Sequence, residues 1–312
     1  MFFFDIFLNV CAPIFFVVGL GWLLDRRFRL HLESLVKLNI YLLVPAFIFS
    51  RVVDTELGGG EALRIVSFTA ATIASMFLCS FIAARLLKME MRQKQALSLA
   101  TMFYNCGNYG LPLVTLAFGH AGAAVQVYVL ATMNVSVFTV GLFLAQERHE
   151  KAGAHRRALN SMLRQPTLYA LAAGVITRAA GWPVQKVTWL WQPIDLLQSA
   201  LVGIALLTLG VQMSQTRPAP FKAPLLSAIG IRLALGPGIA VGLVMLFGFP
   251  PPVAASLILA AGAPTAVNTA LLAHEFGGDV SFATSAVYYS TIFSMVTTTV
   301  TLALLKVWLG GG

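Results

Sequence analysis

The chain has 312 residues, of which 58% are hydrophobic and 11% charged, with a formal net charge of +9; its mean hydropathy is +0.82. A soluble domain carries about 25% charged residues, so these charges are too few to clothe a water-facing surface. A nucleic-acid binder is disfavoured as well, because the Lys and Arg lie in short loops between apolar runs and form no single basic patch. The runs are continuous where a membrane β-barrel would alternate, so the fold class expected is an all-α polytopic membrane protein.

The first run, 2–24, opens MFFFDIFLNVCAPIFF. It has neither a basic n-region nor a small-residue cleavage site, and it reads as a retained span. Asp5 lies in its first turn, where the helix dipole accounts for it. Runs 32–53 and 62–87 follow, each near the ~20 residues that a membrane helix needs. Glu33 and Lys37, four residues apart, read as a local pair. The fourth run, 94–119, contains QALSLATMFYNCGNYGLPLVTLAFG, and the fifth is 121–145. A polar linker, QERHEKAGAHRRALNSMLRQP, comes next. The sixth run, 167–181, is short. Trp182, Trp189 and Trp191 crowd the loop behind it as interfacial anchors.

The seventh run is 193–213, with Asp195 in its first turn. The eighth, 225–248, contains LLSAIGIRLALGPG, with Arg232 about two turns inside. That arginine either snorkels to the cytoplasmic face or attracts an anion. The ninth run, 251–276, reads PPVAASLILAAGAPTAVNTALLAHEFG, and the tenth is 280–307. His274, Glu275 and Asp279 are spaced for helix capping; no metal site is expected. Cys11, Cys79 and Cys106 fit no redox or metal spacing, and no cofactor is expected.

About ten spans result. Fourteen Lys and Arg lie in the linker and the odd-numbered loops, against five on the opposite side. The positive-inside rule therefore puts the linker in the cytoplasm and both termini outside, in a multi-pass protein of the cell (inner) membrane. The linker, 147–165, separates a half at 1–146 from a half at 166–312. An odd number of spans in each half makes the halves inverted repeats, as in many secondary transporters.

The fourth and ninth runs carry the functional signal. Each begins as ordinary apolar helix, is interrupted mid-membrane by Gly, Pro and Asn, and resumes to end in Phe-Gly. A broken membrane helix frees backbone N–H and C=O groups, which is tolerated only inside protein or beside a watery cavity. Paired breaks point to a substrate site. The half-helix N-termini suit a carboxylate, while the carbonyl ends need a cation or donors. The binding residues expected are Asn105, Asn108 and Asn268, with Thr265 as a hydroxyl donor. Gly107 and Gly110 permit close backbone approach, and Pro112 and Pro264 set the breaks. No Asp or Glu lies near the centre of a span, which disfavours a midplane carboxylate relay.

The segments YLLVPAFIFS, YNCGNYGLPL, GIALLTLGVQM, GAPTAVNTALLAHEFG and STIFSMVTTTVTLALL resemble the auxin efflux carrier family, within the bile-acid and auxin carrier superfamily. The resemblance spans nearly the whole chain. It implies two inverted five-helix repeats: a scaffold of spans 1, 2, 6 and 7, and a transport domain of spans 3–5 and 8–10. Spans 4 and 9 cross at their breaks, and one domain moves against the other like an elevator. In the plant members an Asn of the first break contacts the substrate carboxylate; Asn105 is similar to it. Pro264 is similar to the second crossover proline. The plant pattern has Pro where this chain has Tyr104 and again where it has Asn268, which points away from auxin itself; the bacterial members of the family suggest malonate or another small carboxylate, with an auxin-like acid as the other expectation.

The function expected is secondary transport of a small organic anion. The alternatives are a sodium-coupled symporter of the bile-acid carrier type and, from other classes, an intramembrane enzyme or a sensor. The spans hold no HExxH and no nucleophile–base pair, so no catalytic residue is assigned. The partners expected are the anion and membrane lipids, without nucleic acid. Proton or sodium coupling and a homodimer stay open.

Overall fold

A computed structural model describes residues 2–55, 57–137, 160, 163–275 and 278–310. Among these residues the regular elements are all helical. In chain order they are α1 Phe4–Phe28, α2 Leu32–Asp54, α3 Gly59–Leu86, α4 Met91–Met102, α5 Cys106–Ser136, α6 Pro166–Ala179, α7 Thr188–Gln215, α8 Ala223–Phe247, α9 Pro251–Ala261, α10 Asn268–Glu275 and α11 Val280–Gly310. Seven of them (α1, α2, α3, α5, α7, α8 and α11) are long and apolar enough to cross a membrane. Large apolar side chains face outwards, Phe16 at 68% and Leu246 at 78% exposure among them. Lipid is the solvent that such a surface requires.

Proline shapes the helices without ending them. π turns at Phe7–Cys11, Asn39–Leu43, Cys106–Gly110 and Ile231–Leu235 each run directly into an α segment whose second residue is proline: Pro13, Pro45, Pro112 and Pro237. Proline lacks an N–H and its ring crowds the carbonyl four residues back; the wider turn accommodates both. Within α5, Gly119 takes φ +61, ψ −143 and turns the chain, where the sequence predicts the end of the fourth run.

The helices associate in two groups. α1 packs most extensively on α7, and α2 on α6 and α7. At the α1–α7 contact, a Cβ on Gly210 would collide with the Val18 carbonyl and one on Gly21 with the Leu207 carbonyl, so small residues permit the approach. Buried polar bonds join α2 to α7: Asn39 Nδ2 donates to Thr208 Oγ1 at 2.9 Å, and Ser50 Oγ to Gln198 Oε1 at 2.5 Å. In the other group, α3 packs on α4, α5 and α8, while α9 packs on α5 and α8, and α11 on α4 and α10.

Several local expectations are met and one is corrected. Glu33 and Lys37 form an ion pair, and Asp279 caps α11 by accepting the Phe282 N–H at 2.9 Å. The seventh run begins earlier than predicted, because Trp189 and Trp191 belong to the first turn of α7. Pro193, the sixth residue of α7, lies inside the helix and leaves the Trp189 carbonyl without its N–H four residues on. The end of the fifth run and nearly all of the linker lie outside the described residues.

Candidate functional site

Helices α4 and α9 both stop inside the protein, and the chain continues extended from each. The two extended pieces meet antiparallel, with Tyr104 opposite Thr265. Asn105 N–H donates to the Pro264 carbonyl at 2.7 Å, and Ala266 N–H to the Phe103 carbonyl at 2.9 Å. From this crossing the chain re-enters helix as α5 on one side and α10 on the other. The interrupted runs, 157 residues apart at Asn105 and Gly262 when read along the chain, therefore satisfy each other's backbone.

Most carbonyls at the ends of α4 and α9 meet an identified donor. On α4, Leu99 O accepts from Phe103 N–H, Ala100 O from the Thr265 hydroxyl at 2.8 Å and Thr101 O from Arg232 Nη1 at 2.6 Å. On α9, Ile258 O and Leu259 O accept from Gly262 N–H, and Ala260 O from Ala263 N–H. Ala261 O accepts from Arg232 Nη2. Arg232 does not snorkel: it is 0% exposed, with its guanidinium bridging the two helix ends and lying 5.0 Å from the centre of the Tyr104 ring. The two carbonyl ends take the place of water as partners of its Nη1 and Nη2. The Thr265 hydroxyl, expected to meet a substrate, is committed to Ala100. At the position where the resemblance sets proline, the Tyr104 ring lies against the Arg232 guanidinium.

The opposite side of the crossing is built around Asn105, which is 6% exposed. Its backbone N–H is used by Pro264, and its carbonyl accepts the Gly110 N–H at 2.7 Å. Its side-chain oxygen accepts the Asn108 N–H at 3.1 Å and so caps the first turn of α5. Only the amide donor Nδ2 has no partner. Nearby, Gln126 Nε2 donates to the Cys106 carbonyl at 2.8 Å, while Gln126 Oε1 is buried and unpartnered. A Cβ on Gly110 would stand 3.0 Å from Gln126 Nε2 and 3.2 Å from the Asn105 carbonyl, so the close approach expected there is real; at Gly107 a Cβ meets only Leu130 Cδ1 at 3.7 Å. Gln126 is absent from the sequence-based set. Its signal is a single amide in the apolar run AGAAVQVYVLAT.

Asn108 lies in the first turn of α5 and Asn268 begins α10, both half-buried. Pro264 lies in the extended piece. Pro112 follows the π turn inside α5, so it does not set the break as predicted; the chain leaves helix earlier, at Phe103. The first turn of α5 abuts α7 of the other helix group, and its Tyr109 ring meets Phe15 of α1 edge-on at 6.1 Å. Phe15 also lines a cleft of about 300 Å³ between α1, α7 and α11, together with Val18, Trp22, Met213, Tyr288 and Ile292.

Long apolar helices, with two half-helices crossing beside a buried amide donor, define a polytopic membrane transport protein. The family model described as "Membrane transport protein" matches residues 6–302, and the chain belongs to that family, the auxin efflux carriers. Its relatives are distant. It is 25% identical over 286 residues to an "Uncharacterized transporter" of Methanothermobacter thermautotrophicus, covering 90% of this chain and 92% of that one. It is 24% identical over 314 residues to a Rhizobium meliloti protein named "Putative malonate transporter", covering 96% and 95%. An uncharacterized transporter of Methanocaldococcus jannaschii is 22% identical over 282 residues, covering 85% and 87%.

Proposed function

We propose that this membrane transporter moves a small organic anion, a carboxylate of the malonate kind, by secondary transport. The observation that carries the reading is the unpartnered amide donor of the buried Asn105 at the start of α5. A carboxylate is an acceptor-only group, and the N-terminal end of a helix favours its charge. Asn108 and Asn268 stand at the first turns of α5 and α10 and would complete the polar surround. Malonate is the first substrate to try because one relative bears its name.

The proposed architecture has ten spans. α4 with the first part of α5 forms one crossing, the rest of α5 a second, and α9 with α10 a third, which join α1, α2, α3, α6, α7, α8 and α11. Two inverted halves, a cytoplasmic linker and external termini in the cell membrane belong to the same proposal. Packing supports a scaffold of α1, α2, α6 and α7 beside a transport domain of the other helices. The first turn of α5 lies where the groups meet, as an elevator mechanism requires of its site, and its Tyr109 ring touches Phe15 on the wall of the cleft.

Uptake of labelled malonate into proteoliposomes holding the purified chain tests the reading, with imposed pH and sodium gradients and a panel of mono- and dicarboxylates as competitors. Saturable uptake of malonate or of a panel member is expected. Folded protein that moves no carboxylate under any gradient would refute the proposal.

A further inference from the structure

We propose that Arg232 is the resident counter-cation of the helix crossing, occupying the place where two facing half-helix ends would otherwise need a bound inorganic cation. The inference rests on the crossing being the transport site only for its consequence for coupling; the arrangement itself stands on α4, α8 and α9. A helix C-terminus carries about half a negative charge. Two of them brought together hold roughly one unit of negative charge inside the protein, and one guanidinium cancels it.

The geometry uses what distinguishes arginine from other cations. Its planar fork presents donors in two directions: Nη1 to Thr101 of α4 and Nη2 to Ala261 of α9. The Tyr104 ring lies against the guanidinium, 5.0 Å away. Space for the group is left by Gly236, one turn along α8, where a Cβ would collide with Nη2. No carboxylate makes an ion pair with Arg232 among the described residues, so its charge is spent on the helix ends. A sodium ion held by backbone carbonyls would compete for the same oxygens. Arg232 is thus a positioning residue: it fixes the angle between the half-helices and so the place of Asn105 across the bridge.

The test follows thermal unfolding of the full chain in detergent, without any substrate, while sodium chloride is exchanged for choline chloride. Wild-type Tm is expected to stay unchanged, because no inorganic cation belongs at the crossing. Arg232→Met, which keeps volume but not charge, is expected to lose roughly 5–10 °C. Arg232→Ala, which leaves the side chain's space open, is expected to lose at least as much and to recover part of the loss, saturably, with methylguanidinium chloride, which the wild type ignores. Arg232→Lys should fall between wild type and Arg232→Met, since an ammonium lacks the fork.

A saturable rise of wild-type Tm with sodium would overturn the proposal, as would an Arg232→Met variant that melts like wild type or an Arg232→Ala variant that gains nothing from methylguanidinium. If the Arg232 variants yield no folded protein, Gly236→Ala decides: its methyl crowds both the guanidinium and the Ala261 carbonyl, so the fork is displaced without being removed. A lowered Tm that sodium partly restores supports the proposal, and a wild-type Tm or a lowered Tm that sodium leaves unchanged refutes it. Malonate uptake fails or succeeds separately, so loss of the transport reading is distinguishable from loss of this one.

Discussion

At the scale of single residues, Asn105 concentrates the local chemistry. Its N–H, carbonyl and side-chain oxygen all hold the crossing in place, and its one spare atom is a donor. Asn105→Ala removes one hydrogen bond to a charged ligand, worth about 1.5–3 kcal/mol, and is expected to weaken malonate binding roughly ten- to hundredfold by calorimetry. Asn105→Asp keeps the cap on Asn108 but faces an anion with a second anion, and should bind more weakly still. Unchanged affinity in both variants would place the carboxylate elsewhere. Gln126 supports the same turn through the Cys106 carbonyl. Gln126→Leu, which leaves that carbonyl with the Leu111 N–H alone, is expected to lower Tm by an amount equivalent to about 0.5–1.5 kcal/mol.

At the scale of elements, the α1–α7 contact depends on backbone meeting backbone. A methyl at Gly210 has the Val18 carbonyl in its way, whereas one at Gly203, on the same helix, meets nothing within 4 Å. Gly210→Ala should cost about 1–3 kcal/mol of stability by overpacking, while Gly203→Ala should leave Tm within about 1 °C of wild type or raise it slightly. Equal melting of the two variants would contradict the packing described. Gly119 presents a different constraint: its φ of +61 is costly for any residue with a Cβ, although the surrounding space is open.

At the scale of the whole molecule, the two helix groups and their relative motion are the proposal most exposed to experiment. Val18 and Ile292 lie on opposite walls of the cleft, on α1 and α11. Joining Val18→Cys to Ile292→Cys with a short bifunctional maleimide, in a cysteine-free background, should arrest malonate uptake; free uptake in the linked protein would contradict elevator movement. Orientation has its own measurement. A Cys at Ala154 in the linker should resist an impermeant reagent in intact cells and react once the membrane is opened. Labelling from outside would reverse the assignment.

Membrane character and the interruption of the fourth and ninth runs were legible in the sequence because each is local. Long apolar runs follow from the absence of water in the bilayer, and Gly, Pro and Asn within such a run mark freed backbone wherever it occurs. The Trp189 turn and the role of Pro112 were misplaced because proline permits both a helix start and a π turn, and composition does not choose between them. The tertiary structure decided what lies opposite each freed group. Arg232 meets carbonyls 131 and 29 residues away in the chain, and the Thr265 hydroxyl meets one 165 residues away. Hydrophobic periodicity tells which face of a helix is buried. It carries no record of which distant carbonyl that face will meet, so an arginine that the sequence leaves between the membrane surface and an anion is held at the crossing of two helix ends.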